Sequence, residues 1–474
     1  MAILEKNIGL YLDYYELTMA QGYFLNGRKD TPASFDYLFR KAPFGGAFAV
    51  FAGLSDLLDI LEHLRFEKED LAYLKSLGFK DEFLGYLKNF EFTADIWACN
   101  EGEVVFPFEP VLRVQGNIIE TQIIETLVLN ILNFESLIAT KAARLKQAAG
   151  NRPVIDFGLR RAQGLGGIHA SKAAVTGGAD STSNVYSAFK FDLQATGTQA
   201  HSWIQSYDNE LTAFRDFAKM VPERCVLLVD TYDTLNSGVP NAIKVAKELE
   251  RSGHKLLAIR IDSGDLGQLS KEARKMLDQA NLAYVKIIAS GQLNEFIIED
   301  LLARNCPIDA FGVGTSLITG QPDAALDGVY KLSMSDNKPR LKISEDIEKI
   351  ILPGVKKILR CLDEKGNFSA DAIVLEHEQD IDTIYHLHKS GIIMSAKLTK
   401  EPLLVRIMSK GRTTPQKKKI DEIAAKARER LARLPLEYKQ LRHPSTYKVG
   451  ISEQLAKLRN DLIAGIRKTY RATT

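Results

Sequence analysis

The sequence has almost no cysteine. Only Cys99, Cys225, Cys306 and Cys361 occur in 474 residues, and no two form a Cys-x-x-Cys pair. A zinc cluster and a disulfide framework are therefore not expected, and a reducing cytoplasm fits. Excess charge is also missing: 62 basic against 60 acidic residues leave a net +2. No global field argues for nucleic acid or an anionic membrane. No run of about 18 apolar residues is present, so no membrane span is expected. Met1 to Leu10 carries Glu5 and Lys6 without a long apolar core, and does not read as a signal peptide. What remains is 45% hydrophobic and 26% charged, ordinary for a soluble globular chain, and long enough for two or three domains.

The first third mixes helix and strand signals. Leu12-Asp13-Tyr14-Tyr15-Glu16-Leu17 opens a helix, with Asp13 and Glu16 spaced as a capping-box pair. Ala33 to Phe39 alternates as a strand, and Arg40-Lys41-Ala42-Pro43-Phe44-Gly45-Gly46 follows it. That cationic loop suits an anion, and equally an ordinary turn. Ala47 to Leu64 and Lys68 to Leu77 read as helices, and Thr93 to Ala98 and Val111 to Gln115 as strands. Asn117 and Glu120 then mark the start of a long apolar helix that nothing interrupts before Gly150.

From Val154 short apolar strands alternate with helical stretches, the pattern of a parallel sheet or (β/α) barrel. Each strand stops at polar or glycine residues. Val154 to Gly158 runs into Arg160-Arg161, and a strand-like run from Phe189 to Ala195 precedes the turn holding Thr198 and His201. Val226 to Val229 ends at Asp230-Thr231, and Leu256 to Ile261 at Asp262-Ser263-Gly264-Asp265. Val285 to Ala289 ends at Ser290-Gly291, and Ile308 to Phe311 at Gly312-Val313-Gly314-Thr315. Taken singly, such residues are the usual ends of strands. In series they point to one face, because a parallel barrel gathers its strand C-termini there.

The chemistry of that face suits a phosphorylated substrate. Gly312 to Thr315 offers a backbone phosphate cradle, with Ser290-Gly291 as its second half. Arg160, Arg161 and Arg260 suit phosphate or carboxylate, and Asp230, Asp262 and Asp265 suit ribose hydroxyls or magnesium. The imidazole of His201 is a nucleophile able to take a phosphoryl group. The glycines of Gln163 to Gly167 do not make a dinucleotide fingerprint.

Several motifs together resemble the nicotinate phosphoribosyltransferase family. They are Tyr11 to Ala20, Phe39 to Gly46, Phe157-Gly158-Leu159-Arg160-Arg161, Gly197 to Trp203, Arg260 to Asp265, and Gly312 to Thr315. They keep their order over roughly residues 10 to 330, and no single one is specific. The resemblance implies an irregular α/β barrel of type II phosphoribosyltransferases plus an α+β domain built from N- and C-terminal segments. The expected division is 1–150, 151–326 for the barrel, 327–410 for strands returning to the first domain, and 411–474 as a helical segment.

It implies transfer of phosphoribosyl from phosphoribosyl pyrophosphate to nicotinate, coupled to ATP hydrolysis with Mg2+, in a homodimer with shared active sites. By this likeness ATP phosphorylates His201, and Thr198 contacts nicotinate. Tyr15 stacks on the pyridine from the partner subunit, with Phe157 on the other face. Arg260 meets the carboxylate or a phosphate, and Asp262 the ribose. Gly314 and Thr315 hold the 5-phosphate together with Gly312, Ser290 and Gly291. Arg160 and Arg40 meet phosphates, Arg40 across the dimer interface. No metal ligand set is implied.

A nicotinamide enzyme shares the barrel motifs. Asp180 in Gly178-Ala179-Asp180 suits an amide donor, or the cap of a helix beginning near Ser181. A non-catalytic nucleotide binder on the same fold is the other alternative. In the C-terminal part, strands at Val329 to Ser333 and Arg340 to Ile343, and at Val355 to Leu362 and Phe368 to Leu375, read as two hairpins. His377, His386 and His388 match no metal spacing. Thr414-Pro415 and Lys417-Lys418-Lys419 read as the basic start of a solvated helix rather than a nucleic-acid surface.

Overall fold

The computed structural model describes residues 6–343, 351–387, 391–395, 398–414 and 418–471. Two compact units divide the chain: Met1–Leu137 with Ala325–Thr474, and Ile138–Ala324. They are described in turn.

The first unit is built on two large sheets, with a small two-stranded one besides. Pro32–Phe39 lies inside a seven-stranded antiparallel sheet, between Gly328–Ser335 and the central strand Leu112–Asn117. Phe35, Tyr37 and Phe39 are all buried, with the strand's other face covered too. The later segments return to this sheet: Val405–Ser409 pairs with Asp95–Ala98. The second sheet has six strands, centred on Phe368–Leu375 beside Lys356–Leu362. Its neighbour on the other side is Val449–Ile451, running parallel, so the chain beyond Gly411 is not helical throughout. A three-residue strand there is too short for a hydrophobic period to reveal.

Three local expectations are corrected. Ala47 to Leu64 is not one helix: Ala49–Val50 is a strand, and the helix is Leu54–Leu61 after Gly53, whose φ of 91° breaks the run. Arg340 to Ile343 is not a strand; the hairpin partner is Lys338–Pro339, across the positive-φ turn Asp336-Asn337. The C-terminal helix begins at Ile420, not at Thr414. Pro415, Lys417 and His388 lie outside the described residues.

The Tyr14–Leu25 helix begins where Asp13 and Glu16 predict, but the capping box does not form. Asp13 makes no side-chain cap bond. Glu16 turns inward and is fully buried, accepting from the Thr126 backbone N–H at 3.0 Å and the Thr126 hydroxyl at 2.5 Å. Its other oxygen has no partner. Burial is the main cause that raises its pKa from 4.5 to about 7, with the Glu125 and Asp13 carboxylates adding to it. The folded carboxyl therefore holds its proton more tightly than the unfolded one. The cost of this group is absent below about pH 4.5, grows as pH rises to 7, and is complete above. Glu16→Gln is expected to stabilise the protein at pH 8 by up to roughly 3 kcal/mol and to change little at pH 4.5. Urea midpoints of both proteins at the two pH values check this. A gain independent of pH would remove the explanation.

The Ile118–Gln122 and Glu125–Ala149 helices are nearly continuous, and Asn117 caps the first by accepting from the Glu120 N–H. By length and composition this stretch passes as a membrane span, but 67% of its apolar window is buried, as in a core helix.

The second unit holds a curled half-barrel sheet of six strands, all parallel. Their order is Ser181–Thr182, Val154–Asp156, Ala310–Val313, Lys286–Ala289, Ala258–Ile261, Val226–Leu228. Side chains such as Leu227, Ile259, Ile287 and Phe311 are fully buried, which is why these strands read as short apolar runs. Helices Val239–Arg251, Leu266–Gln279 and Glu295–Ala303 follow three successive strands, and the last two start on Asp265 and Asn294 caps. Because all six run parallel, their C-terminal ends share one edge.

Candidate functional site

Every strand of the parallel sheet delivers one turn to that edge. After Asp156 the chain bends sharply. The Asp156 carboxylate is fully buried and accepts from the Gly158 N–H, the Ser171 hydroxyl and the Thr182 hydroxyl, at 2.7 to 2.8 Å. This pins Phe157, and the short Leu159–Arg161 turn then exposes Arg160 and Arg161. The Phe157 ring lies against Gly312, where a Cβ would sit 2.4 Å from the ring carbons. Only glycine fits there. Gly291 has φ 108° and its Cβ would meet the Asp262 carbonyl at 2.3 Å, so the two neighbouring turns touch through backbone.

The run before His201 is not a strand. Val185–Phe191 is a helix capped by Asn184, whose side chain accepts from the Ser187 N–H, and Asp192 ends it at φ 55°. The valine and aromatic residues favour a strand intrinsically, and the caps override them. Only Ala195 bridges to the sheet, at Thr182. Gly197 to Ala200 is then an irregular loop, and His201 begins the helix His201–Gln205.

These turns enclose a cavity of about 550 Å³. Phe157, Arg160, Thr198, His201, Arg260, Asp262, Ser290, Gly291, Gly312, Gly314 and Thr315 all line it. Arg161, Ser183, Gln199 and Gln292 line it as well. Arg260 Nη1 donates to the Thr198 hydroxyl at 2.6 Å, and its guanidinium lies 5.7 Å from the Phe157 ring centroid. Burial lowers the Arg260 pKa, opposed by the Asp262 and Asp230 carboxylates; a guanidinium so placed stays charged. Asp230 accepts from the Asp262 N–H at 2.9 Å and the Ser263 hydroxyl at 2.7 Å, while its Oδ1 is buried without a partner. Asp262 accepts from the Ser290 hydroxyl at 2.5 Å. His201 Nδ1 lies 3.1 Å from the Thr231 hydroxyl.

Two candidate acids fall away. Asp265 is an exposed helix cap, accepting from the Gly267 and Gln268 N–H groups, and these bonds hold its pKa below the usual value. Asp180 neither caps a helix nor lines the cavity. Ser181–Thr182 is a strand, and Asp180 accepts from Lys146 Nζ at 2.9 Å and from the Val154 N–H at 2.8 Å, at the opposite end of the Val154–Asp156 strand. Its carboxylate is therefore spent on structure, and no amide recognition follows from it.

Tyr15 and Arg40 belong to the other unit. Tyr15 is 44% exposed, and its hydroxyl pKa is raised by burial and by Glu125. Arg40 lines a separate cavity of about 560 Å³ with Lys41, His386 and Tyr447. His377 lies beside Gln454, with its Nε2 3.2 Å from the amide oxygen. Sequence reasoning gave no role to Ser183, Gln199 or Gln292, since single polar residues in loops carry no periodic signal.

Three domain families match the chain: the nicotinate phosphoribosyltransferase N-terminal domain over residues 10–133, the nicotinate phosphoribosyltransferase family over 153–350, and its C-terminal domain over 355–459. The last extends the likeness beyond the motifs that end near residue 330. The nicotinate phosphoribosyltransferase of Bacillus subtilis is 40% identical over 463 residues, covering 95% of this chain and 94% of its own. That of Mycobacterium tuberculosis is 42% identical over 468 residues, covering 97% and 96%. The crystal structure of human nicotinic acid phosphoribosyltransferase superposes with a TM-score of 0.85 at 30% identity, covering 95% of this chain and 99% of that one.

Proposed function

The chain belongs to the nicotinate phosphoribosyltransferase family, and from that membership we propose how its cavity carries out the reaction. The enzyme joins nicotinate to the phosphoribosyl group of phosphoribosyl pyrophosphate, giving nicotinate mononucleotide and pyrophosphate for NAD biosynthesis. The observation that carries the residue assignment is the Arg260–Thr198 pair beside the Phe157 ring. It offers a cation, a hydroxyl and a flat apolar surface, which together match an aromatic carboxylate.

In this reading Arg260 and Thr198 take the nicotinate carboxylate, and Phe157 covers one face of the ring. That holds the unprotonated ring nitrogen toward ribose C1. The N–C1 bond forms as the C1–O bond breaks, and pyrophosphate leaves with the electron pair. Positive charge builds on the sugar and negative charge on the leaving group, so fixed positions and cations supply the rate. Gly312, Gly314, Thr315, Ser290 and Gly291 receive the 5-phosphate, Asp262 a ribose hydroxyl, and Arg160 the outer phosphates. The donor set of Asp230 and Asp262 fits a magnesium ion, since both are carboxylates and Asp230 Oδ1 is buried unpaired. When bound, the ion would neutralise charge on the pyrophosphate.

ATP coupling is assigned to His201. With Nδ1–H donating to the Thr231 hydroxyl, Nε2 keeps its lone pair. Nε2 attacks the γ-phosphorus, the N–P bond forms, the bridging P–O bond breaks, and ADP departs with its electrons. Later hydrolysis returns inorganic phosphate and free imidazole. His201→Ala is expected to abolish ATP hydrolysis and ATP stimulation while slow transfer persists. Intact mass after incubation with magnesium and ATP checks it: the parent gains one phosphoryl group on the peptide bearing His201, and the variant gains none. ATP hydrolysis at the parental rate in the variant would sink the assignment.

A homodimer is the proposed assembly, with Tyr15 and Arg40 reaching the partner's cavity. The exposure of Tyr15 supports this. A fully active monomer in sedimentation would remove it. Four buried free cysteines suit the cytoplasm as the compartment.

A further inference from the structure

We propose that the side-chain amide of Gln199 is a positioning group for the 2-hydroxyl of the phosphoribosyl substrate. This rests on the transferase reading above and adds a residue to it. Gln199 lines the cavity between Thr198 and Ala200, yet it is only 5% exposed. Neither its Oε1 nor its Nε2 has a hydrogen-bond partner. A buried amide unpaired at both ends is costly, and such groups are rare unless something else completes them. The neighbouring residues do not complete it: the Thr198 hydroxyl is engaged by Arg260, and His201 Nδ1 by Thr231.

The chemistry of the missing partner follows from what an amide needs. A phosphate or carboxylate only accepts, and would leave Oε1 without a donor. A sugar hydroxyl donates and accepts, and satisfies both ends. The ribose diol also has one hydroxyl to spare. Asp262 already accepts from Ser290 and is also proposed to hold magnesium, so it is assigned one ribose hydroxyl and the other needs a partner of its own. Position selects between the two. Thr198 is assigned to the base, the base bonds to C1, and the hydroxyl next to C1 is on C2. Gln199, next to Thr198 in the chain, is accordingly assigned the 2-hydroxyl, the one nearer the base. The amide is shielded from solvent, so meeting the sugar requires the side chain to turn toward the cavity.

Gln199→Leu keeps the side chain's bulk and removes both polar atoms. It is expected to raise KM for phosphoribosyl pyrophosphate about tenfold, with KM for nicotinate within about twofold of the parent. Because the variant deletes an unsatisfied group, its Tm without ligand should be no lower than the parent's. A purely structural role would instead lower Tm and disturb both KM values together, and that result overturns the proposal. So does an unchanged KM for phosphoribosyl pyrophosphate.

Direct binding separates this inference from the transferase reading. Ribose 5-phosphate and 2-deoxyribose 5-phosphate are titrated into the full chain and followed by calorimetry. The parent should prefer the ribose form about tenfold, and Gln199→Leu should bind the two alike. Equal preference in parent and variant rejects the role of Gln199, whatever the enzyme assay shows. A protein that transfers nothing to nicotinate yet shows the preference would reject the reaction and keep the residue.

Discussion

Replacing Arg260 with alanine is expected to lower kcat/KM for nicotinate by about 10²- to 10³-fold. Arg260 holds the Thr198 hydroxyl through Nη1 and keeps a buried Nε without a partner. In the proposed arrangement the carboxylate of nicotinate supplies what is missing. Removing the guanidinium leaves a carboxylate in a partly desolvated cavity facing the Asp262 and Asp230 acids. Losing one partner of such a charged pair costs about 2–5 kcal/mol, and about 1.4 kcal/mol is a factor of ten. KM for phosphoribosyl pyrophosphate should move less than about threefold, because other turns hold the phosphates. Discrimination between nicotinate and nicotinamide should fall, since the positive charge selects the acid. Arg260→Lys should not restore the parent, because an ammonium cannot bridge Thr198 and a carboxylate as a planar fork does. Steady-state kinetics with each base decides it. A loss under tenfold, or an equal loss for both substrates, would take the carboxylate away from Arg260.

How far such a site could be read beforehand depended on the kind of signal. Strands such as Ala258–Ile261 and Lys286–Ala289 announce themselves as apolar runs, and their ends fall at Asp262 and Ser290 as expected. Parallel topology then brings together residues more than a hundred positions apart, which is why Phe157 and Gly312 meet. Local capping was less legible. Val185–Phe191 has a strand's composition, and Asn184 and Asp192 turn it into a helix. Asp265 was spelled like a site residue and serves as a cap. Glu16 was spelled like half of a capping box, and a contact with Thr126 drew it into the core. The first two turn on cap bonds to residues two or three positions away, and the third on a contact with Thr126, 110 positions away. Gln199 was invisible for a related reason: what marks it is an absence of partners.

Arg360→Ala is expected to destabilise the first unit by about 3–5 kcal/mol, a large part of the roughly 5–15 kcal/mol that a protein has. Arg360 is fully buried. It donates from Nε and Nη2 to Asp371, from Nη1 to Glu103 at 2.6 Å, and from Nη2 to the Val104 carbonyl at 2.8 Å. Glu103 also accepts from Arg430 Nε at 2.6 Å, and Asp371 from the Tyr447 hydroxyl at 3.0 Å. The guanidinium lies 4.2 Å from the Phe368 ring centroid. Burial and the nearby Asp371 raise the pKa of Glu109 well above its ordinary value, so three acids already crowd this cation. Without it Asp371 and Glu103 remain buried and undercompensated, which costs more than the pair itself contributed. Arg360→Met combined with Asp371→Leu should recover much of the loss, because a neutral pair of similar bulk has nothing left to compensate. Urea midpoints test the series. A double variant as unstable as Arg360→Ala would mean that packing around Phe368, and not charge, is what Arg360 supplies.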